Sequence, residues 1–221
     1  MNNTQTTKVI TPEECRFSYC NLIKPVAKQE GGDLKYSVTV LLPKTAVTTK
    51  QLIDAAIEAA TQNGVSKWGF RPPIVANPVY DGDGVRPSDG MPFGAECKGH
   101  WVFTASTKAD KKPGLVDINR ADIINPSEIY SGMYGRVSVN FFDYNIGSKR
   151  GVGCALNHVQ KTRDGEPLVS VSSAKDDFAQ FSAPELKPVQ APQGQELHYD
   201  QQGNPYYTLE GQQELQYQPQ N

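Results

Sequence analysis

No stretch of the 221-residue chain approaches the roughly 18 consecutive apolar residues of a bilayer-spanning helix. Its first residues, MNNTQTTKVITPEEC, show neither the basic region nor the apolar core of an export leader, so a cytoplasmic protein without membrane association is expected. Cysteine is scarce. The four present, Cys15, Cys20, Cys97 and Cys154, read as reduced core residues rather than a disulfide framework. A phosphate-gripping P-loop and a dinucleotide fingerprint are both missing. Cys97 and His100 in CKGH have the gap of half a zinc site, but no second Cys/His pair stands at a matching distance. Neither a metal nor a cofactor is therefore expected.

Strong net charge is also lacking, because two opposite balances nearly cancel. Residues 1–165 carry a balance of +4 and residues 166–221 one of −6. A mildly basic domain suits a polyanionic ligand, and an acidic tail is suited to compete for the same surface. Solvation of the surface would account for the same charges without any ligand.

What is present sorts the chain into two parts. Residues 1–168 read as one folded domain. Residues 169–221 form an acidic tail, Gln- and Pro-rich from Ser182 and poor in aliphatic side chains, which buries too little surface to offset the entropy of ordering. No fixed structure is expected there, and its tyrosines (Tyr199, Tyr206, Tyr207, Tyr217) are read as tolerated polar-tail residues.

Inside the domain, period-two alternation dominates. In LKYSVTVLL, Tyr36, Val38, Val40 and Leu42 alternate with Lys35, Ser37 and Thr39. ECRFSYCNLI, HWVFTAST, GRVSVNFF and VGCALNHVQ read alike, giving five strands rich in β-branched and aromatic residues. That number suits a small barrel of a mainly β fold. One helix interrupts them in TTKQLIDAAIEAATQNG, with Thr48 as N-cap, Gln51 as its capping-box partner and Gly64 as the stop. Its apolar face, Leu52, Ile53, Ala56, Ile57 and Ala60, is expected to pack on the sheet. From Lys67 to Gly99 the chain is irregular and rich in Pro and Gly, a length that in a compact domain is usually functional or mobile.

The segment YGRVSVNFFDYN sets the functional question. Val137, Val139 and Phe141 point to one face, while Tyr134, Arg136, Ser138, Asn140, Phe142 and Tyr144 point to the other. Aromatic rings interleaved with a guanidinium and small polar residues form a platform on which bases stack and phosphates meet positive charge. Lys149 and Arg150 at the following hairpin tip, with Lys161 and Arg163 at the end of the next strand, extend it as a basic track. Trp68, beside Lys67 in SKWGF, joins this set. The competing reading is a second core over Phe142 and Tyr144, but a buried Arg136 would then need a partner.

RFSYCNLIKP, KYSVTVLLPK, AAIEAA, KWG, DGD, DINR, YSGMYGRVSVNFFDYN, GVGCALNHVQKTRDGEPL and DDF, in this order, resemble a family of phage single-stranded-DNA-binding proteins formerly catalogued as a domain of unknown function. The similarity spans about residues 9–178. It implies an oligonucleotide/oligosaccharide-binding (OB) fold that coats single-stranded DNA in phage replication or recombination without catalysis, in the host bacterial cytoplasm. Phage or host replication proteins, and further copies of the chain on DNA, are the partners it suggests. By position, the strand from Tyr134 to Tyr144 and the segment from Lys149 to Arg163 are where binding is expected. One departure concerns the end of the chain: YQPQN lacks the acidic, hydrophobic-tipped terminus that such proteins commonly use to recruit partners. The nearest acidic-aromatic element, AKDDFAQF, is expected to occupy the basic surface weakly and to be displaced by DNA.

Two other functions fit the sequence. Asp81, Asp83 and Asp89, with Glu96, would hold metal ions in a nuclease or junction-processing enzyme, although Asp-Gly pairs are first of all turn formers. A phage structural protein with an all-β fold would also tolerate such a tail. His158 is read as structural.

Overall fold

The computed structural model describes residues 6–147 and 149–168, together with the backbone of strands at 195–199 and 205–209. Residues Met1–Ser170 and Val171–Asn221 form separate compact units. In chain order the elements are β1 (Lys8–Ile10), β2 (Cys15–Ala27), β3 (Leu34–Pro43), α1 (Val47–Trp68), β4 (Val79–Asp81), β5 (His100–Lys108), β6 (Gly114–Val116), β7 (Tyr134–Ile146), β8 (Lys149–Arg163), β9 (Gln195–Tyr199) and β10 (Pro205–Leu209).

The five long strands are those the alternation pattern predicts. They join in a ring: β2 pairs with β3, β3 with β5, β5 with β8, β8 with β7, and β7 with β2. The ring closes thinly. Between β2 and β7 only Cys15↔Gly135 and Arg16↔Tyr134 pair, and β5 meets β8, in parallel, only at Ser106↔Ala155. The expected five-stranded barrel is thus a ring of strands rather than a fully bonded barrel.

The long loop after α1 is the reason. Its β4 pairs along β5, Val79 opposite Phe103 and Asp81 opposite Trp101. A few residues earlier, the Ala76 N–H donates to the Arg150 carbonyl and the Ala76 carbonyl accepts from the Val152 N–H. The loop therefore lies as a wedge between β5 and β8 and takes hydrogen bonds that a closed barrel would make directly. With β1, β4 and β6 added, the sheet has eight strands.

Inward-facing Phe17, Val38, Val40, Leu42, Phe103, Ala105, Val137, Val139 and Phe141 fill the core, and Ile53, Ala56 and Ala60 of α1 cover it. A second, small cluster of Leu41, Cys97 and Val102 sits on the outer face of β3 and β5 under Phe93. All four cysteines are free. Burial pushes the Cys15 and Cys20 thiols up to about 12 and that of Cys97 to about 11, and raises that of Cys154 further still.

The helix departs from the sequence reading at both ends. It starts at Val47 with Ala46 as an N-cap that makes no side-chain bond, so Thr48 and Gln51 lie inside the first turns. It also runs through Gly64 to Trp68 and stops at Gly69, which takes φ 78° and donates its N–H to the Val65 carbonyl. Gly64 serves a close approach instead: a Cβ there would meet Trp68 at 2.5 Å and the Asp143 Cβ of β7 at 2.9 Å. Leu52, expected on the buried face, is exposed.

In the second unit, β9 and β10 pair antiparallel, with Tyr206 opposite His198 and Tyr207 opposite Leu197. These strands lie in the segment for which no fixed structure is expected. Runs of β-prone Tyr, Leu and Thr flank the turn-forming residues Gly203 and Asn204, a local hairpin signal that average tail composition hides. Tyr217 and AKDDFAQF lie outside the described residues.

Candidate nucleic-acid interface

The outward face of β3, β5 and β8 carries small residues where they meet. Thr39 and Thr104 stand side by side, their hydroxyl oxygens 3.1 Å apart, with Ser106 and Gly153 beyond them. This is the floor of a groove. On one flank, β7 sends Phe142 and Tyr144 across β8, where their cross-strand partners are Gly153 and Gly151. A Cβ at Gly153 would lie 2.6 Å from Phe142 Cζ, and one at Gly151 would lie 2.8 Å from the Tyr144 hydroxyl. Only glycine leaves room for rings to rest on the strand in this way. Phe142 consequently remains 46% exposed. On the β2 flank stands Tyr19, while Tyr80 and Phe93, supplied by the loop with their rings 6.5 Å apart, line the same groove.

Two cavities make up the groove, of about 680 Å³ and about 620 Å³. Lys35, Ser106, Phe142 and Tyr144 line both, so the two are continuous. The larger opens where β5 leaves β8 and is ringed by Lys35, Lys108, Lys111 and Lys112, while Lys28 lines the smaller. Lys35 and Lys108 are direct cross-strand partners. Like charges so placed repel, and none of these five lysines has an ion-pair partner among the described residues. The arrangement offers unneutralised cations beside accessible rings over a polar, small-residue floor, which is what a single strand's phosphates and bases require.

The residues picked out from the sequence divide between this groove and other places. Phe142 and Tyr144 are in it. Arg150, near the hairpin tip, stacks on Phe70 at 4.9 Å, and Lys149 is exposed beside it. Lys67 is bound to the Asp143 carboxylate at 2.7 Å. Trp68, only 7% exposed, packs against Gly64 and offers no open ring. At the far end of β7, the partly exposed Arg136 pairs with Glu13 and donates also to the Gln160 side chain. Lys161 is bound to Asp164, and Arg163 lies over the Tyr134 ring at 3.4 Å. Arg16 stacks on that ring too and donates to the Glu166 carbonyl. In this second constellation Arg136 and Lys161 are paired with carboxylates while Arg16 and Arg163 meet the Tyr134 ring, and together they tie residues 164–166 to β2 and β7. Tyr134 and Phe142 are eight residues apart on one strand, about 26 Å.

Sequence reasoning missed Tyr19, Lys28, Lys35, Tyr80, Phe93, Lys108, Lys111 and Lys112. A signal existed for three of them, since KADKK closes a strand with three lysines in five residues. The aspartates proposed for a nuclease have other work. Lys44 binds both Asp81 and Asp83 at 2.6 Å, and this lysine, with the Asp83 and Gly99 backbone N–H groups, holds their carboxyls below the usual range. Asp89 pairs with Arg86. Among the described residues no three His, Cys, Asp or Glu side chains are grouped as metal ligands would be. His100 meets the Lys98 carbonyl, and His158 Nδ1 accepts from the Gly114 N–H.

The family model for the single-stranded-DNA-binding protein of Enterobacter phage Enc34 matches residues 7–186. The chain belongs to that family. Two solved structures of the Enc34 protein are similar to it. One, in complex with single-stranded DNA, is 26% identical with a TM-score of 0.62, over 74% of this chain and 90% of that one. The other, a C-terminal truncation, is 27% identical with a TM-score of 0.58, over 73% and 88% of the two chains. The single-stranded-DNA-binding protein gp2.5 of bacteriophage T7 is 16% identical, with a TM-score of 0.51, and covers 81% of this chain and 97% of its own; that likeness speaks for the fold alone. No curated protein sequence matches. No helix among the described residues is long and apolar enough to cross a membrane.

Proposed function

We propose that this Enc34-family chain binds single-stranded DNA without catalysis, and that the strand lies in the groove over β3, β5 and β8. The observation that carries the placement is the pairing of exposed Phe142 on Gly153 with a neighbouring set of lysines that have no acidic partners among the described residues. Bases stack on the rings at roughly 1–3 kcal/mol each, and phosphates displace counterions at the lysine end. Membership of the family and the single-stranded DNA in the Enc34 complex support this reading. The capture of Asp81 and Asp83 by Lys44 speaks against the nuclease alternative. Coating of single-stranded DNA during phage replication or recombination, in the host cytoplasm and alongside replication proteins or further copies of the chain, is the setting this activity fits.

Fluorescence anisotropy of labelled oligo-dT and of a matched duplex, at two salt concentrations without metal, tests the proposal. Salt-sensitive binding that prefers the single strand and leaves it uncut is expected. Equal affinity for the duplex, or cleavage on adding magnesium, would overturn it.

A further inference from the structure

Tyr19 has φ 47°, in the left-handed region that a bulky residue rarely adopts. It sits at an irregularity in β2. Ser18 pairs with Thr39 and Asn21 with Ser37, so Tyr19 and Cys20 together oppose Val38 alone. That is a β-bulge with its first residue left-handed, the position that glycine normally takes. Here glycine is replaced by a large aromatic residue that is 70% exposed and lines the groove.

The surroundings force the conformation. Before the bulge, the Phe17 N–H donates to the Met133 carbonyl and the Phe17 carbonyl accepts from the Gly132 N–H. Within it, the Cys20 N–H donates to Ser131 Oγ, and after it Asn21 Nδ2 donates to Ser37 Oγ. Both sides of the bulge are thus pinned, on one side wholly by residues 131–133. Backbone strain of this kind persists only where the surrounding structure over-determines it, and it concentrates at binding sites. The core gains nothing from the ring, since an exposed tyrosine buries little surface.

Resting on the reading that the groove holds single-stranded DNA, we infer that Tyr19 is a clamp residue. The bulge turns its ring over the β2 flank, across the floor from Phe142 and Tyr144, so that a base stacks on it and the strand is held from both sides. Stability is given up at this position for affinity.

Four proteins decide it: the wild type, Tyr19→Gly, Tyr19→Asn and Tyr19→Phe, with Phe142→Ala as control, each measured for thermal midpoint and for oligo-dT affinity. Tyr19→Gly should melt about 2–4 °C higher, because the strain is relieved, yet bind about ten-fold more weakly. Tyr19→Asn, which tolerates the left-handed backbone but lacks the ring, should lose the same affinity. Tyr19→Phe should match the wild type in both. A glycine variant that is more stable and binds as well as wild type overturns the clamp, as does one that is less stable. If Phe142→Ala binds weakly while Tyr19→Gly and Tyr19→Asn bind normally, the groove reading stands and the clamp alone falls. Absence of oligo-dT binding by the wild type removes both.

Discussion

Phe142 of β7 rests on Gly153 of β8, its cross-strand partner, so closely that any β-carbon at 153 would lie 2.6 Å from the ring. The backbone covers one side of the phenyl group and the groove receives the other. A hydrophobic side chain on the outer face of a strand, half exposed and supported from beneath, is unfavourable in the free protein, and ligand contact offsets that.

Removing the ring or its support should therefore weaken binding with little effect on the fold. Phe142→Ala is expected to lower affinity for oligo-dT by about 5- to 100-fold, and Gly153→Val to do the same by lifting the ring. Wild-type affinity in both variants, with unchanged melting, would place the bases elsewhere.

The lysines should act through salt. Alanine at Lys108, Lys111 or Lys112 is expected to reduce the slope of log affinity against log salt by about 0.7 for each phosphate that the variant no longer neutralises. Phe142→Ala should leave that slope unchanged. Titrations at four salt concentrations distinguish stacking from phosphate neutralisation, and a slope unaffected by the lysine variants would dismiss the phosphate track.

Trp68 separates core from interface. Because its ring is buried against Gly64, Trp68→Ala should cost about 3–5 kcal/mol in urea unfolding. The fraction that remains folded should bind oligo-dT within about two-fold of wild type. Loss of affinity without loss of stability would return Trp68 to the binding face.

Acid should reveal the pair that Glu58 of α1 makes with Arg71, just beyond the end of the helix. Arg71 donates to both Glu58 carboxylate oxygens, at 2.7 and 2.9 Å, and this contact, helped by Gln62, lowers the Glu58 carboxyl from 4.5 to about 2. A carboxyl depressed on folding contributes stability above its unfolded value and loses it as pH falls through the folded one. The wild type should thus lose more stability than Glu58→Gln between about pH 4.5 and pH 2. Because the pair is exposed, the difference should be small. Parallel pH profiles of the urea midpoint would show that the pair contributes nothing.

The thiols supply a check on the core. With Cys15 and Cys20 pushed up to about 12 by burial, almost no thiolate forms near pH 8. A thiol reagent should react slowly with the native protein and with all four cysteines once it is unfolded. Fast reaction of one thiol in the native state would mark a local opening.

The sequence carried much of this architecture in its local patterns. Val137, Val139 and Phe141 alternate with outward residues, and period-two spacing sends consecutive side chains to opposite faces whatever lies beyond the strand. The five long strands follow from that rule, and the helix follows from the 3.6-residue spacing of its apolar face. What misled was the identity of neighbours remote in sequence. Arg136 looks like a ligand-seeking cation until Glu13, 123 positions away, is brought to it, and Trp68 looks like a platform until its ring is buried against Gly64.

The groove itself belongs to the tertiary structure. Lys35 and Lys108 are ordinary surface residues 73 positions apart until β3 and β5 pair them, and Tyr19 becomes notable only through a bulge held by residues 131–133. Local alternation determined which residues face outward. Strand pairing decided which outward residues share a surface, because pairing joins segments by hydrogen bonds that no short window of sequence contains.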